Sequence, residues 1–134
     1  MRWTHKELIR EFVSVPAFDR EWERLKLTDN DYARLQLHLF RNPKEGDVIP
    51  GANGCRKMRF AVSDQGKSGG IRVIYLDYVV GERIYFLDVY AKSEKEKPSQ
   101  EEIKLYSELA DKIKKLEGEQ KHDERRIQRK HKGS

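Results

Sequence analysis

The sequence has a single cysteine, Cys55, which excludes an internal disulfide framework and any metal site built from several thiolates. It has no run of about 18 apolar residues, so nothing in it reads as a membrane span. Its opening, MRWTHKELIREF, lacks the continuous apolar stretch of a signal peptide, and a reduced, cytoplasmic setting is expected. The four histidines, His5, His38, His122 and His131, are scattered without ligand spacing, and none falls on the predicted central strands. Metal catalysis and a bound cofactor are therefore not expected. With no histidine nearby in sequence to activate it, Cys55 reads as a small core hydrophobe.

What the chain does have is charge. Its 134 residues suit one domain, 38% of them are charged, and the net charge is +5. The distribution is uneven. Residues 48–91 are rich in valine, isoleucine, tyrosine and phenylalanine, whereas the last third is dominated by lysine, arginine and glutamate. The positive balance favours an anionic partner such as nucleic acid, or an acidic protein.

Residues 7–15, ELIREFVSV, carry the β-branched and aromatic residues of a first strand. Pro16 suits a helix start, and Phe18, Trp22 and Leu25 recur on one face of a short helix over 16–26. Thr28 to Asn30 supply capping side chains for a second helix, about 30–41, which Asn42-Pro43 stops. The glycines and proline of 44–54 mark a connecting loop. Three strand-like runs follow, 55–63, 71–80 and 83–92, and the short gaps between them imply antiparallel neighbours. Ser99 and Glu102 have capping-box spacing for a last helix whose apolar stripe runs from Ile103 to Leu116. Gly118 reads as its stop, and the charged residues beyond it read as frayed or disordered. The order β-α-α-β-β-β-α defines an α+β domain over 1–117, with a tail over 118–134.

AVSDQGKSGG, residues 61–70, fits a relaxed phosphate-binding P-loop. A working P-loop needs a helix N-terminus after it. Here GGIRVIYLDYVV follows, the pattern of a buried strand, so the match is accidental. What remains is a hairpin tip carrying Lys67.

Alternation along 55–63 sends Met58, Phe60 and Val62 one way, and Lys57 and Arg59 the other, about 7 Å apart. Arg56 stands at the start of that strand, Arg72 near the start of the next, and Lys92 at the end of the third, followed by Lys95 and Lys97. In an antiparallel meander these ends meet, so Lys57, Arg59, Lys67, Arg72 and Lys92 can converge on one end of the sheet. The bland alternative is a solvent-facing side of a sheet covered on one face. Against it, the strand 55–63 carries no balancing carboxylate before its end, and Arg72 sits in an otherwise apolar run. Tyr75, Tyr78 and Tyr85 read as packing residues, and Tyr90, close to the basic end, as a platform for a base.

The segments NPKEGDVIPGANGCRKMRFA (42–61), GKSGGIRVIY (66–75) and IYFLDVYAKSEKE (84–96) resemble the RelE/ParE toxin superfamily, and more narrowly the HigB-like branch of type II toxin–antitoxin systems. The resemblance spans about residues 7–116. It implies a compact RelE-like fold and a metal-independent mRNA interferase acting on messages in the ribosomal A site. It also implies a toxin that is monomeric when free and is neutralised by a cognate, HigA-like antitoxin. Lys57 and Arg59 match the family's paired basic positions, Arg72 the arginine after the glycine turn, and Lys92 the basic residue ending the last strand. Lys67 belongs to the basic loop. Where many members place an arginine after that last basic residue, this chain has Ser93, with Lys95 as the cation in reach.

In such an enzyme the RNA 2′-OH attacks the adjacent phosphate, leaving a cyclic phosphate and a free 5′-OH. The protein orients the nucleotide, moves protons and stabilises phosphate charge. Lys57 or Lys92, crowded by arginines, suits the general base, and Arg72 the scissile phosphate. Arg59 and Lys67 suit neighbouring phosphates, and Arg56, Tyr90 and Lys95 further RNA contacts. A ParE-like toxin that binds and inhibits gyrase without catalysis is the alternative, and a catalytically dead RNA- or protein-binding module is a third.

Overall fold

The structure, a computed structural model, describes residues 11–62 and 70–132, with side chains to Gly118. Residues 7–10 of the expected first strand lie outside the described residues, as do Lys67 and most of the hairpin tip 61–70. The described chain runs β1 (Glu11–Ser14), α1 (Pro16–Arg24), α2 (Asp29–Arg41), β2 (Asp47–Val48), β3 (Arg56–Phe60), β4 (Ile71–Tyr78), β5 (Arg83–Ala91) and α3 (Gln100–Lys132). The sheet order is β1-β5-β4-β3-β2, parallel only between β1 and β5.

Local chemistry accounts for the helix starts. Pro16 occupies the first turn of α1, where a missing N–H costs nothing. Thr28 caps α2 in a reciprocal box, its hydroxyl accepting from the Asp31 N–H while the Asp31 carboxylate accepts from the Thr28 N–H. Ser99 and Glu102 do the same for α3, at 2.9 and 3.1 Å.

Two apolar clusters place the sheet between layers. On one face, Phe18, Trp22 and Leu25 of α1 and Leu35 and Leu39 of α2 meet Met58, Phe60, Ile71, Val73, Tyr75, Ile84 and Phe86. Phe18 stacks on Phe86 with ring centres 5.1 Å apart. Each such fully buried ring contributes about 1.5–3 kcal/mol. On the other face, Tyr106, Ala110 and Ile113 of α3 cover Ile74, Leu76 and Leu87, with Cys55 beneath them. Burial pushes the Cys55 thiol up to about 11, which keeps it protonated and unreactive at neutral pH.

Three features differ from the sequence expectation. The connecting loop contains β2, a two-residue strand paired with β3. The ladder between β4 and β5 shifts at Ile74 and Tyr75: Ile74 faces Asp88 but Tyr75 faces Phe86, leaving Leu87 as an extra residue. Finally, α3 does not stop at Gly118 but continues to Lys132. The apolar stripe ends at Leu116, which suggested an end there. The residues beyond are mostly glutamate, glutamine, lysine and arginine, good helix formers that carry one interior glycine at a cost of about 1 kcal/mol. A side chain at Gly118 would meet nothing within 4 Å, so no packing requires the glycine to end the helix.

Candidate functional site

The α3-facing side of the sheet is only partly covered, and its open end carries the cations. Across the strands, Arg59, Arg72 and Tyr90 form one row of direct neighbours. Asp47, Lys57, Ile74 and Asp88 form the next. Neighbours within a row lie about 5 Å apart, and the rows about 7 Å. The bulge at Leu87 is what puts Tyr90 there. Ile84 and Phe86 before it, and Val89 and Ala91 after it, all lie in the first cluster, so Asp88 and Tyr90 fall on the opposite face.

From these rows Lys57, Arg59 and Arg72 form the floor of a cleft of about 690 Å³, which Lys92 and Lys97 also line, with Glu45, Asp47 and Glu96 at its walls. Lys92 reaches it from the turn after β5, its N–H bonded to the Gly70 carbonyl at 3.1 Å. Gly70 itself holds φ +73°, and a Cβ there would come within 2.6 Å of the Phe60 carbonyl oxygen. Only glycine lets β4 start this close to β3, one residue before Ile71 and two before Arg72.

Arg72 is 6% exposed, with Nη1 donating to its neighbour's carbonyl, the Ile71 oxygen, at 3.3 Å. Lys57 is half-buried, and Arg59 and Lys92 are exposed. Among the described residues, no carboxylate comes within ion-pair distance of Lys57, Arg59 or Lys92. Of the wall carboxylates, Glu45 is engaged with His38. The floor is thus a desolvated arginine flanked by more open cations, an arrangement that binds successive anionic oxygens.

Other expected residues stand elsewhere. Arg56 faces away from the cleft, and its Nη1 donates to the carbonyls of Gly46 at 2.7 Å and Lys44 at 3.3 Å. It fastens the 42–47 loop together with the Tyr75 hydroxyl, which donates to the Pro43 oxygen at 2.9 Å and accepts from the Gly46 N–H at 3.0 Å. Tyr90 is 3% exposed, its hydroxyl lacks a hydrogen-bond partner among the described residues, and the Lys95 ammonium covers its ring at 4.6 Å. It offers no open face to a base. Burial raises its pKa, against an opposing pull from the Arg72 charge. Lys95 turns away from the cleft to Glu102. Lys97, Asp47 and Glu96 also line the cleft, and none of them was among the expected site residues. Lys97 stood in a run of charges with no pattern to mark it, and Asp47 lay in a stretch that read as loop.

A small α+β domain with a cationic cleft at one end of its sheet is a protein built to engage anions. The family model described as "RelE toxin of RelE / RelB toxin-antitoxin system" matches residues 15–133. The chain belongs to the RelE toxin family, the toxins of toxin–antitoxin systems. Among solved structures it is similar to a free-state double mutant of E. coli toxin RelE, at 18% identity and a TM-score of 0.47, covering 65% of this chain and 87% of that one. It is also similar to isolated E. coli RelE, at 19% and 0.45, over 78% and 98%. A third is the intact E. coli RelBE toxin–antitoxin complex, at 16% and 0.44, over 60% and 93%. Among the described residues, no helix is long and apolar enough to cross a membrane.

Proposed function

We propose that this RelE-family toxin is a cytoplasmic, metal-independent endoribonuclease of the HigB-like branch that cuts translated messages in the ribosomal A site and is restrained by a HigA-like antitoxin. The observation that carries this reading is the gathering of Lys57, Arg59, Arg72 and Lys92 in one cleft, with no carboxylate paired to Lys57, Arg59 or Lys92 among the described residues. The activity is assigned to residues 1–117, and the helical extension beyond them is accessory.

RNA brings its own nucleophile, which is why cations alone suffice. The 2′-oxygen bonds to phosphorus as the bond to the 5′-oxygen breaks, giving a cyclic phosphate and a 5′-hydroxyl. Arg72, held at the floor and shielded from water, stabilises charge growing on the scissile phosphate. Arg59, beside it in the same row, holds a neighbouring phosphate, and Lys67 another. Lys57 or Lys92 takes the 2′-proton, and the other returns one to the leaving oxygen. The ribosome contributes by fixing the message in a reactive pose.

Primer extension on messages from cells expressing the chain tests this. Wild type should leave discrete stops within translated codons. Arg59→Ala and Lys92→Ala, at exposed positions that should not disturb folding, should lower cleavage about 100-fold, and Arg72→Ala should abolish it. Intact messages together with failed DNA supercoiling would identify a ParE-like gyrase inhibitor instead.

A further inference from the structure

Between β5 and α3 the chain passes through residues 92–99, and the side chains there part to two sides. Lys92, Glu96 and Lys97 line the basic cleft. Glu94 and Lys95 instead line a second hollow of about 480 Å³, together with Glu21, Arg24, Asp88 and Glu102. On that far side both are held. Arg24, in the last turn of α1, makes a two-pronged contact with Glu94, Nη1 to Oε2 at 3.0 Å and Nη2 to Oε1 at 2.9 Å. Its remaining Nε–H goes to Glu21 at 2.9 Å. Lys95 pairs with Glu102, whose other oxygen accepts the Ser99 N–H.

A single exposed ion pair adds little stability. The Arg24–Glu94 contact differs in kind, because two parallel bonds to a planar guanidinium fix orientation as well as distance. It also joins residues 70 apart in sequence. The Lys92 N–H bonds to Gly70, and the Glu94 and Lys95 N–H groups turn back to the Ala91 carbonyl at 3.0 and 3.2 Å; past that turn, among the described residues, no sheet ladder holds the strap. The turn sets where the strap begins, and the side-chain ties on its outer side add the hold that orients the residues after it.

We propose that Arg24 is a positioning residue, which through Glu94 sets the 92–97 strap so that Lys92 and Lys97 face the RNA backbone in the cleft. This role rests on the nuclease reading. It brings into the site's workings a side chain on α1 that lines no part of the cleft.

Full-length wild type, Arg24→Ala, Glu94→Ala and the exchanged pair Arg24→Glu/Glu94→Arg are to be compared on ribosomes programmed with a defined message. Single-turnover cleavage, amide hydrogen exchange over residues 92–97 and thermal melting are read together. Each alanine variant should lower the maximal cleavage rate about tenfold with little change in the half-saturating ribosome concentration. Each should also speed exchange in the strap while shifting the melting midpoint by no more than about 2 °C. The exchanged pair should recover most of the rate. Equal maximal rates in wild type and Arg24→Ala overturn the role, as does slower cleavage with unchanged exchange and no recovery in the exchanged pair. If wild type itself leaves messages intact, the nuclease reading fails instead, and exchange over 92–97 alone decides whether Arg24 holds the strap.

Discussion

Glu117 shows what a single enclosed charge contributes. It is 7% exposed and accepts from Arg83 Nη1 at 2.9 and 3.0 Å and from the Tyr85 hydroxyl. Burial first, and that bond second, push the Tyr85 phenol up to about 12, so it remains a donor across the working pH range. Arg83 also reaches Glu11 on β1 at 3.2 Å, so one guanidinium ties β1, β5 and α3 together. Glu117→Ala should cost roughly 2–3 kcal/mol in urea denaturation, because it strands a half-buried guanidinium and a phenol. That is below the full penalty for a buried pair, since Arg83 keeps Glu11 and some solvent. At this scale the sequence was partly legible. The clean alternation of 55–63 marked the opposed faces of Met58 and Arg59. The same alternation sends Arg56 to the Met58 side, away from Lys57 and Arg59.

At the scale of elements, the bulge and the strap do what no periodicity announces. Counting by twos along β5 assumes one residue per step. Leu87 breaks that count, and the facing of Tyr90 depends on it. The strap's ties likewise run between elements, from α1 through Arg24–Glu94 and from α3 through Glu102–Lys95. They should respond to acid. Burial alone pushes the Glu102 carboxyl up, but the hydrogen bond from Lys95, the Ser99 N–H and the Lys95 charge together hold it below its ordinary value. A depressed carboxyl stabilises the fold above its unfolded pKa and loses that contribution as pH falls through the folded value. Strap exchange in wild type should therefore quicken as pH drops below the usual glutamate range, after correction for intrinsic exchange. Lys95→Met should flatten that dependence. Helix starts were readable from Thr28 and Ser99 because caps are local. The end of α3 was not, since propensity rather than packing extends it.

For the whole molecule, charge is the property that composition reported most directly, and the fold concentrates it. The layered α+β arrangement followed from the order of strands and helices, whereas the parallel pairing of β1 on β5 had no local signature. If the cleft grips a single RNA strand, its affinity for a short oligonucleotide should fall steeply with salt. Removing one contacting charge, as in Lys57→Ala, should reduce the log–log slope by about 0.7. Filter binding between low and physiological salt checks this, and an unchanged slope would place the phosphate elsewhere.

Strand order also imposes a timetable on synthesis. β1 finds its hydrogen-bonding partner only when Arg83 to Phe86 have been made, and Glu11 and Arg83 lie 72 positions apart. Until β4 and β5 leave the exit tunnel, α1 and α2 have no sheet to cover, and the floor under Lys57 and Arg59 does not exist. On the nuclease reading proposed above, a nascent chain therefore has no cleft with which to cut the message it is being read from.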